Sequence, residues 1–393
     1  MRLIAFLFVA LATGGSSVAQ PPIDALDVRF YPGGSLYTYE LDNAHGASSL
    51  LIHNIAVINR GPASVDMKSV ELELRSGGRV LDLRTLNGDD LRRSAMSGSQ
   101  MQAAGMLEPL AFMFGGDRLL PAGTKLPAST TLAPGEAILI STQLFGYRGA
   151  RDELVVRAIG ANTMREVKRP ISSKSSATVF ALPLHGVWFD AAGSSLHSPH
   201  RWVPMEQFAH DLIRLGGPGQ KSCRTDGQSF VDYLAYGQPV YAAAAGTVVA
   251  MADTEVEDLN AMRRKGEALE AYFQRLQGDQ MARLSKGLLG VVGNYVMIDH
   301  GNGEYSLYAH LKPKSVRARI GQKLASGDVL GAVGSTGNST EPHLHFQVCD
   351  KPDPLMCAGI PPTWRGLAFS IDDFPRAPQS GDMIYDLKTP QDL

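Results

Sequence analysis

Around residues 343–348 the chain interleaves two kinds of side chain. Leu344, Phe346 and Val348 are apolar, while His343 and His345 stand between and before them. A period of two with β-branched and aromatic company predicts a strand. The Gly/Ser/Thr-rich stretch from Gly334 to Glu341, ending at Pro342, predicts the loop that leads into it. On a strand, side chains i and i+2 share a face roughly 7 Å apart. His343 and His345 are therefore expected side by side in one cleft, where imidazole serves as metal ligand or as acid and base.

The same patterning divides the rest of the chain. Residues 25–170 read as mostly strands. Val70, Leu72 and Leu74 alternate with Glu71, Glu73 and Arg75, Leu51–Ile58 and Leu154–Ala158 are further apolar runs, and Gly61-Pro62, Gly77-Gly78 and Pro134-Gly135 punctuate them. This predicts a β-sandwich, immunoglobulin-like in its spacing of strands and turns. Between 88 and 113 the pattern changes to one or two short helices, read as an insertion. Residues 171–178, polar and Ser-rich, are read as a linker. From Val179 to about residue 375 strand signals recur at Val179–Leu184, Gly186–Phe189, Gln238–Tyr241, Thr247–Ala252, Tyr295–Asp299, Tyr305–Tyr308, Val329–Val333 and Leu344–Val348. No helix alternates with them, so an antiparallel β domain is expected. One helical insertion is predicted over 254–286, where Leu259, Met262, Leu269, Phe273 and Leu276 recur at helical spacing. It reads either as a surface decoration or as a lid, a wall or a docking site for a regulatory protein. Residues 376–393 are left as a tail.

The first residues add a compartment. Met1-Arg2, an apolar run from Leu3 to Ala12 and the small residues of Ser17-Val18-Ala19 form the pattern of a signal peptide over 1–19, cleaved after Ala19. The run is too short to span a membrane comfortably, and no other stretch is long and apolar enough. The mature protein is therefore expected to be exported, periplasmic or extracellular, and not membrane-spanning. Export permits disulfides. Of the three cysteines, Cys349 and Cys357 flank a short Pro-containing loop and are the expected pair, with Cys223 bridged to one of them as the rival pairing. With 44% hydrophobic and 19% charged residues the chain can bury two ordinary cores, and a net charge of −2 gives no indication of nucleic-acid binding.

Four further blocks precede the H-x-H: Gly237 to Val249 (GQPVYAAAAGTVV), Gly293 to Gly303 (GNYVMIDHGNG), Tyr308-Ala309-His310-Leu311, and Gly327 to Gly337 (GDVLGAVGSTG). In this order they resemble the lysostaphin-type zinc metallopeptidases, which cut peptide bonds in bacterial peptidoglycan. The resemblance covers about residues 180–370. It implies one Zn²⁺ per chain, with His345 and Asp211 as ligands and His310 and His343 as the two non-ligand histidines that serve the attacking water and the transition state. The family's H-x-x-x-D would place a ligand histidine four residues before Asp211. Here that position is Gln207. If the segment is an extended strand, positions 207, 209 and 211 share a face and His210 points away. An amide oxygen is a poor ligand for Zn²⁺ beside imidazole, which leaves His200 or His197, in a loop upstream, as possible substitutes. Phe208-Ala209-His210-Asp211 after Gln207, together with Asp232-Tyr233-Leu234-Ala235-Tyr236-Gly237, resembles a sub-group of the family that carries this Gln.

Other histidines receive plainer readings: His300 is structural in a turn, His185 is packed at a strand end, and His45 and His53 are incidental. H-E-x-x-H, G-x-S-x-G and a phosphate loop are all missing from the sequence. The resemblance thus implies a secreted zinc metalloendopeptidase acting on peptidoglycan peptides. The alternative is a catalytically inactive homologue that binds cell wall or activates another wall hydrolase.

Overall fold

The computed structural model describes residues 25–386 apart from 43–44, 218 and 371–375. The expected signal peptide at 1–19 and the last residues of the tail, 387–393, lie outside the described residues. The chain is mainly β. In its first part, β1 (Leu26–Tyr31), β2 (Leu36–Asp42), β3 (Ala47–Asn59), β4 (Val65–Ser76) and β5 (Arg79–Asn87) lead into α1 (Gly88–Ala103) and a single turn, α2 (Ala111–Phe114). β6 (Ala137–Arg148), β7 (Glu153–Gly160) and β8 (Met164–Ser172) follow.

These strands form two layers. β3 pairs antiparallel with β6 along one edge and with β1 and β2 along the other. β5, β4, β7 and β8 form the second antiparallel layer. One apolar cluster draws on both layers, including Ile52, Ile55 and Val57 of β3, Val70, Leu72 and Leu74 of β4, and Leu154 and Val156 of β7. The alternation in β4 follows from this: its other face carries Glu73, held by Arg75 and Arg157. β3 shows no alternation because both its faces are covered. Ala56 and Ile58 pack under Met101 of the helical insertion and Leu119 and Leu126 of the segment after it.

The second part contains one long antiparallel sheet. Its strands are β9 (Trp188–Asp190), β10 (His210–Ile213), β11 (Gly246–Ala252), β12 (Asn294–Asp299), β13 (Tyr305–Leu311), β14 (Leu344–Cys349), β15 (Leu367–Phe369) and β16 (Met383–Asp386). Starting from the short edge strand Lys323–Leu324, the order is β11-β12-β13-β14-β10-β9-β16-β15. Among the described residues parallel pairing is confined to two-residue contacts, β2 with β8 and Val179–Phe180 with Thr363–Trp364, and a single bridge, Lys125 with Glu136.

Three stretches differ in detail from the sequence reading. Within 171–178, β8 runs to Ser172, and Glu304 accepts from the backbone N–H groups of Ala177 and Thr178. The tail beyond 376 contributes Met383–Asp386 as a strand of the sheet. The insertion over 254–286 holds a single turn, Leu259–Ala261, and α3 (Leu269–Leu284), and α4 (Leu288–Val292) follows just beyond it. Leu284 at the end of α3 packs with Val291 and Val292 of α4 and with Tyr295, Met297 and Leu307 on one face of the sheet, joined by Leu110 from the first part. The opposite face carries Leu212, Val296, Tyr308, Leu344, Phe346 and Val348.

Candidate metal centre

The site sits on three neighbouring strands. β14 divides its side chains as the alternation requires: Leu344, Phe346 and Val348 enter the core, and His345, Gln347 and Cys349 take the other face. In the sheet register Asp211 of β10 stands opposite His345, and Ala309 of β13 stands opposite it on the other side. His345 Nδ1 lies 2.9 Å from Asp211 Oδ1.

His310 reaches the site by an irregularity. Leu307 and Ala309 line the site face, so His310 would by alternation join Tyr308 on the core face. Between the pairs Val296↔Tyr308 and Asn294↔Leu311, two residues of β13 oppose one of β12. His310 takes φ 60° in that bulge. A bulge re-aims a side chain, and here it turns the His310 ring to 4.7 Å from that of His343 and 5.8 Å from that of His345. A left-handed histidine stores roughly 1–3 kcal/mol of backbone strain. His310 Nδ1 donates to the Thr336 carbonyl at 2.8 Å. Thr336 is held there by close backbone packing: a Cβ on Gly293 would come within 2.4 Å of Thr336 Oγ1, and one on Gly337 within 2.4 Å of the Gly293 nitrogen.

The remaining donor comes from a loop. His200, in the short turn Pro199–Trp202, places Nε2 at 3.2 Å from Asp211 Oδ2. His200, Asp211 and His345 each offer a ligand atom, and these atoms all lie within 4.8 Å of one another. Two ligand atoms held at about 2.0–2.1 Å on one tetrahedral zinc are about 3.3 Å apart. The donor set, two imidazoles and a carboxylate with one position left for water, is one that zinc accepts. Gln207 is placed differently from expectation. β10 begins only at His210, and Gln207 lies in the turn before it. The shared strand face that would have joined 207 to 211 therefore does not form. Gln207 is buried with its Nε2 unpartnered among the described residues. His197 is exposed and stands outside the cluster. His210 turns away from the site, with Nδ1 2.7 Å from Asp190 Oδ2.

Charge in the cluster is strongly coupled. Burial raises the Asp211 pKa, but His200 and His343 outweigh it and hold the carboxyl well below its usual range. Burial likewise lowers His200, and Asp211 overcomes that to push it up to about 10. His343 also ends raised, with burial opposing and Asp211 prevailing. His310 goes the other way, held well below its ordinary value by burial and by the two neighbouring histidines.

The supporting roles of three residues were not read from the sequence. Gln347 Oε1 accepts from His345 Nε2–H at 2.8 Å, which leaves Nδ1 to face Asp211. The Gln347 amide nitrogen donates to Cys349 Sγ at 3.1 Å and toward the Pro354 carbonyl at 3.4 Å. Cys349 and Cys357 are joined in a disulfide, and Cys223 is free. The i, i+2, i+4 series His345, Gln347, Cys349 is the signal that could have shown Gln347. His53, read as incidental, donates from Nε2 to the Arg201 carbonyl at 3.1 Å. Arg201 itself was not singled out. His300 bonds the Ala245 carbonyl and Ser306, a structural role.

Residues 228–356 match peptidase family M23. That stretch contains His310, His343 and His345 but begins after His200 and Asp211. A DD-carboxypeptidase/endopeptidase, Mpg, of Neisseria meningitidis serogroup B is 50% identical over 62 residues, 16% of this chain and 14% of that protein. The peptidoglycan DD-endopeptidase ShyA of Vibrio cholerae is 41% identical over 71 residues, 18% of this chain and 16% of that protein. The chain thus spans only 14–16% of the length of these curated relatives. Among solved structures, the catalytic domain of lysostaphin from Staphylococcus simulans aligns over 44% of this chain and 88% of its own, at 16% identity and TM-score 0.24.

Proposed function

We propose that this chain is an exported zinc endopeptidase that hydrolyses peptide bonds of peptidoglycan, a reading supported by the match of residues 228–356 to peptidase family M23. The observation that carries the reading is the convergence of His200, Asp211 and His345, with the rings of His310 and His343 beside them. His200, Asp211 and His345 would hold the metal. When bound, zinc lowers the pKa of its water and polarises the scissile carbonyl. His310, with Nδ1–H committed to Thr336, keeps Nε2 as a proton acceptor, and its burial favours the neutral ring that a base requires. His343, with Nδ1–H on the Glu341 carbonyl, presents Nε2 toward the same centre as a donor to developing negative charge. In this reading Gln207 is not one of the metal ligands.

One observation favours the alternative, an inactive homologue that binds wall or activates another hydrolase. The space beside His310 and His345 is only about 20 Å³, narrowed by Met205, Glu206, Val291 and Leu355, which line it. A scissile peptide needs these walls to part. The same reading leaves a regulatory protein as a partner of the 254–286 insertion, supported by Leu269 and Phe273, which stand exposed one turn apart on α3. The test is zinc stoichiometry of the purified chain, paired with product analysis of digested peptidoglycan. One zinc per chain and new peptide termini support the peptidase. Bound zinc without cleavage, retained when α4 is loosened by substitution, leaves the inactive homologue standing.

A further inference from the structure

The third donor, His200, does not belong to the sheet that carries the other two. It sits in a turn of four residues, Pro199–Trp202, and a turn so short has little structure of its own to aim a side chain. What holds it comes from the first part of the chain. Arg201, the next residue, is 1% exposed. Its Nη2 donates to Ser49 Oγ of β3 at 2.5 Å, and its guanidinium carbon lies 4.6 Å from the centre of the Tyr39 ring on β2. The Arg201 carbonyl accepts from His53 of β3. Backbone and side chain of one residue are thus both tied to the same sheet, about 150 residues away in sequence.

The chemistry of this contact is unusual for a simple packing seam. Among the described residues no carboxylate pairs with Arg201, and its Nε and Nη1 are buried without a partner. A buried guanidinium lacking a counter-ion is expensive, and an apolar residue of similar volume is often neutral or stabilising in its place. Stability therefore does not account for Arg201. Orientation does: an aromatic face and a hydroxyl fix the guanidinium in direction, the His53 bond fixes the peptide, and His200 between Pro199 and Arg201 is left facing Asp211.

We propose that the N-terminal β domain completes the metal centre in cis, with Arg201 as the positioning residue and Tyr39, Ser49 and His53 as its clamp. This rests on the reading of His200 as a metal ligand. The clamp provides what a histidine at position 207 on a strand would have provided by register alone, and it gives the first domain a function in the site.

The experiment uses the full chain, stripped of metal. Arg201→Met and His53→Leu are each expected to weaken zinc binding, measured by chelator competition, about 10- to 100-fold, as loss of a group supporting a ligand does. His53→Gln, which keeps an N–H donor for the carbonyl, should retain affinity within about threefold. A merely structural role predicts a lower urea midpoint in proportion; the clamp predicts lost affinity with the midpoint of the metal-free protein unchanged or, for Arg201→Met, raised. Amide exchange at Arg201 and Val203 in the metal-free protein is the second readout and should quicken in both disruptive variants. Wild-type affinity together with wild-type exchange in Arg201→Met and His53→Leu overturns the proposal. A wild type that takes up no zinc refutes the peptidase reading instead, and exchange at 201–203 then decides the clamp by itself.

Discussion

Removing His200 is the sharpest test of how the centre is built, because sequence spacing points to Gln207 and geometry points to His200. The imidazole lies 3.2 Å from Asp211 Oδ2, and the His345 nitrogen lies 2.9 Å from the other carboxylate oxygen. Both separations are close to the roughly 3.3 Å expected of neighbouring ligands on one zinc. A four-ligand zinc site is worth about 10–16 kcal/mol at neutral pH, so one protein ligand represents about 2.5–4 kcal/mol. His200→Ala should therefore weaken zinc binding about 60- to 700-fold. Gln207→Ala and His197→Ala should leave it unchanged. The assay is competition against a chelator of known affinity, with the urea midpoint of each metal-free variant as a check on folding. That check matters, since His200→Ala also removes a buried partner of Asp211, and breaking such a pair costs up to about 3–5 kcal/mol. Asp211 keeps His343 and His345, so the lower end is expected. Tight zinc binding by His200→Ala, combined with its loss in Gln207→Ala, would refute the assignment.

Four further outcomes are expected. Gln347→Leu, which removes the acceptor for His345 Nε2–H, should lower zinc affinity about 10- to 100-fold, whereas Gln347→Glu keeps the acceptor and should lose far less; equal affinities in the two would show that Gln347 does not orient the ring. His310→Gly should be more stable than His310→Ala by about 1 kcal/mol in urea unfolding, since only glycine is free of strain at φ 60°, while both lose peptidase activity; equal midpoints would place no strain there. Burial lowers the pKa of His53 to about 4, so the unfolded chain binds its proton more readily. That contribution to stability is present above about pH 6.5 and is lost as pH falls toward 4, a slope worth up to about 3 kcal/mol that should vanish in His53→Gln. Opening the Cys349–Cys357 bridge, whose ends are 8 residues apart, should cost about 2.5 kcal/mol by chain entropy, read as a shift of the urea midpoint on reduction.

The alternation at 343–348 was enough to determine a strand with a core face and a chemical face, because side-chain direction on a strand is a local property. Leu344, Phe346 and Val348 do enter the core, and His345 stands on the other side. The alternation in β4 and the insertion after it were legible for the same reason. Partners were not legible. Asp211, His345 and Ala309 meet through the pairing of three strands, a register set by contacts far apart in sequence. Period two alone would send His310 to the wrong face; one extra residue and a left-handed backbone reverse it, and neither leaves a mark in composition. Gln207 misled because its strand was assumed to begin three residues too early. His200 was one of two histidines in a loop, with no periodicity to rank them. Only the folded chain brings it to 3.2 Å from Asp211 Oδ2, beside an Arg201 bonded to a strand about 150 residues upstream.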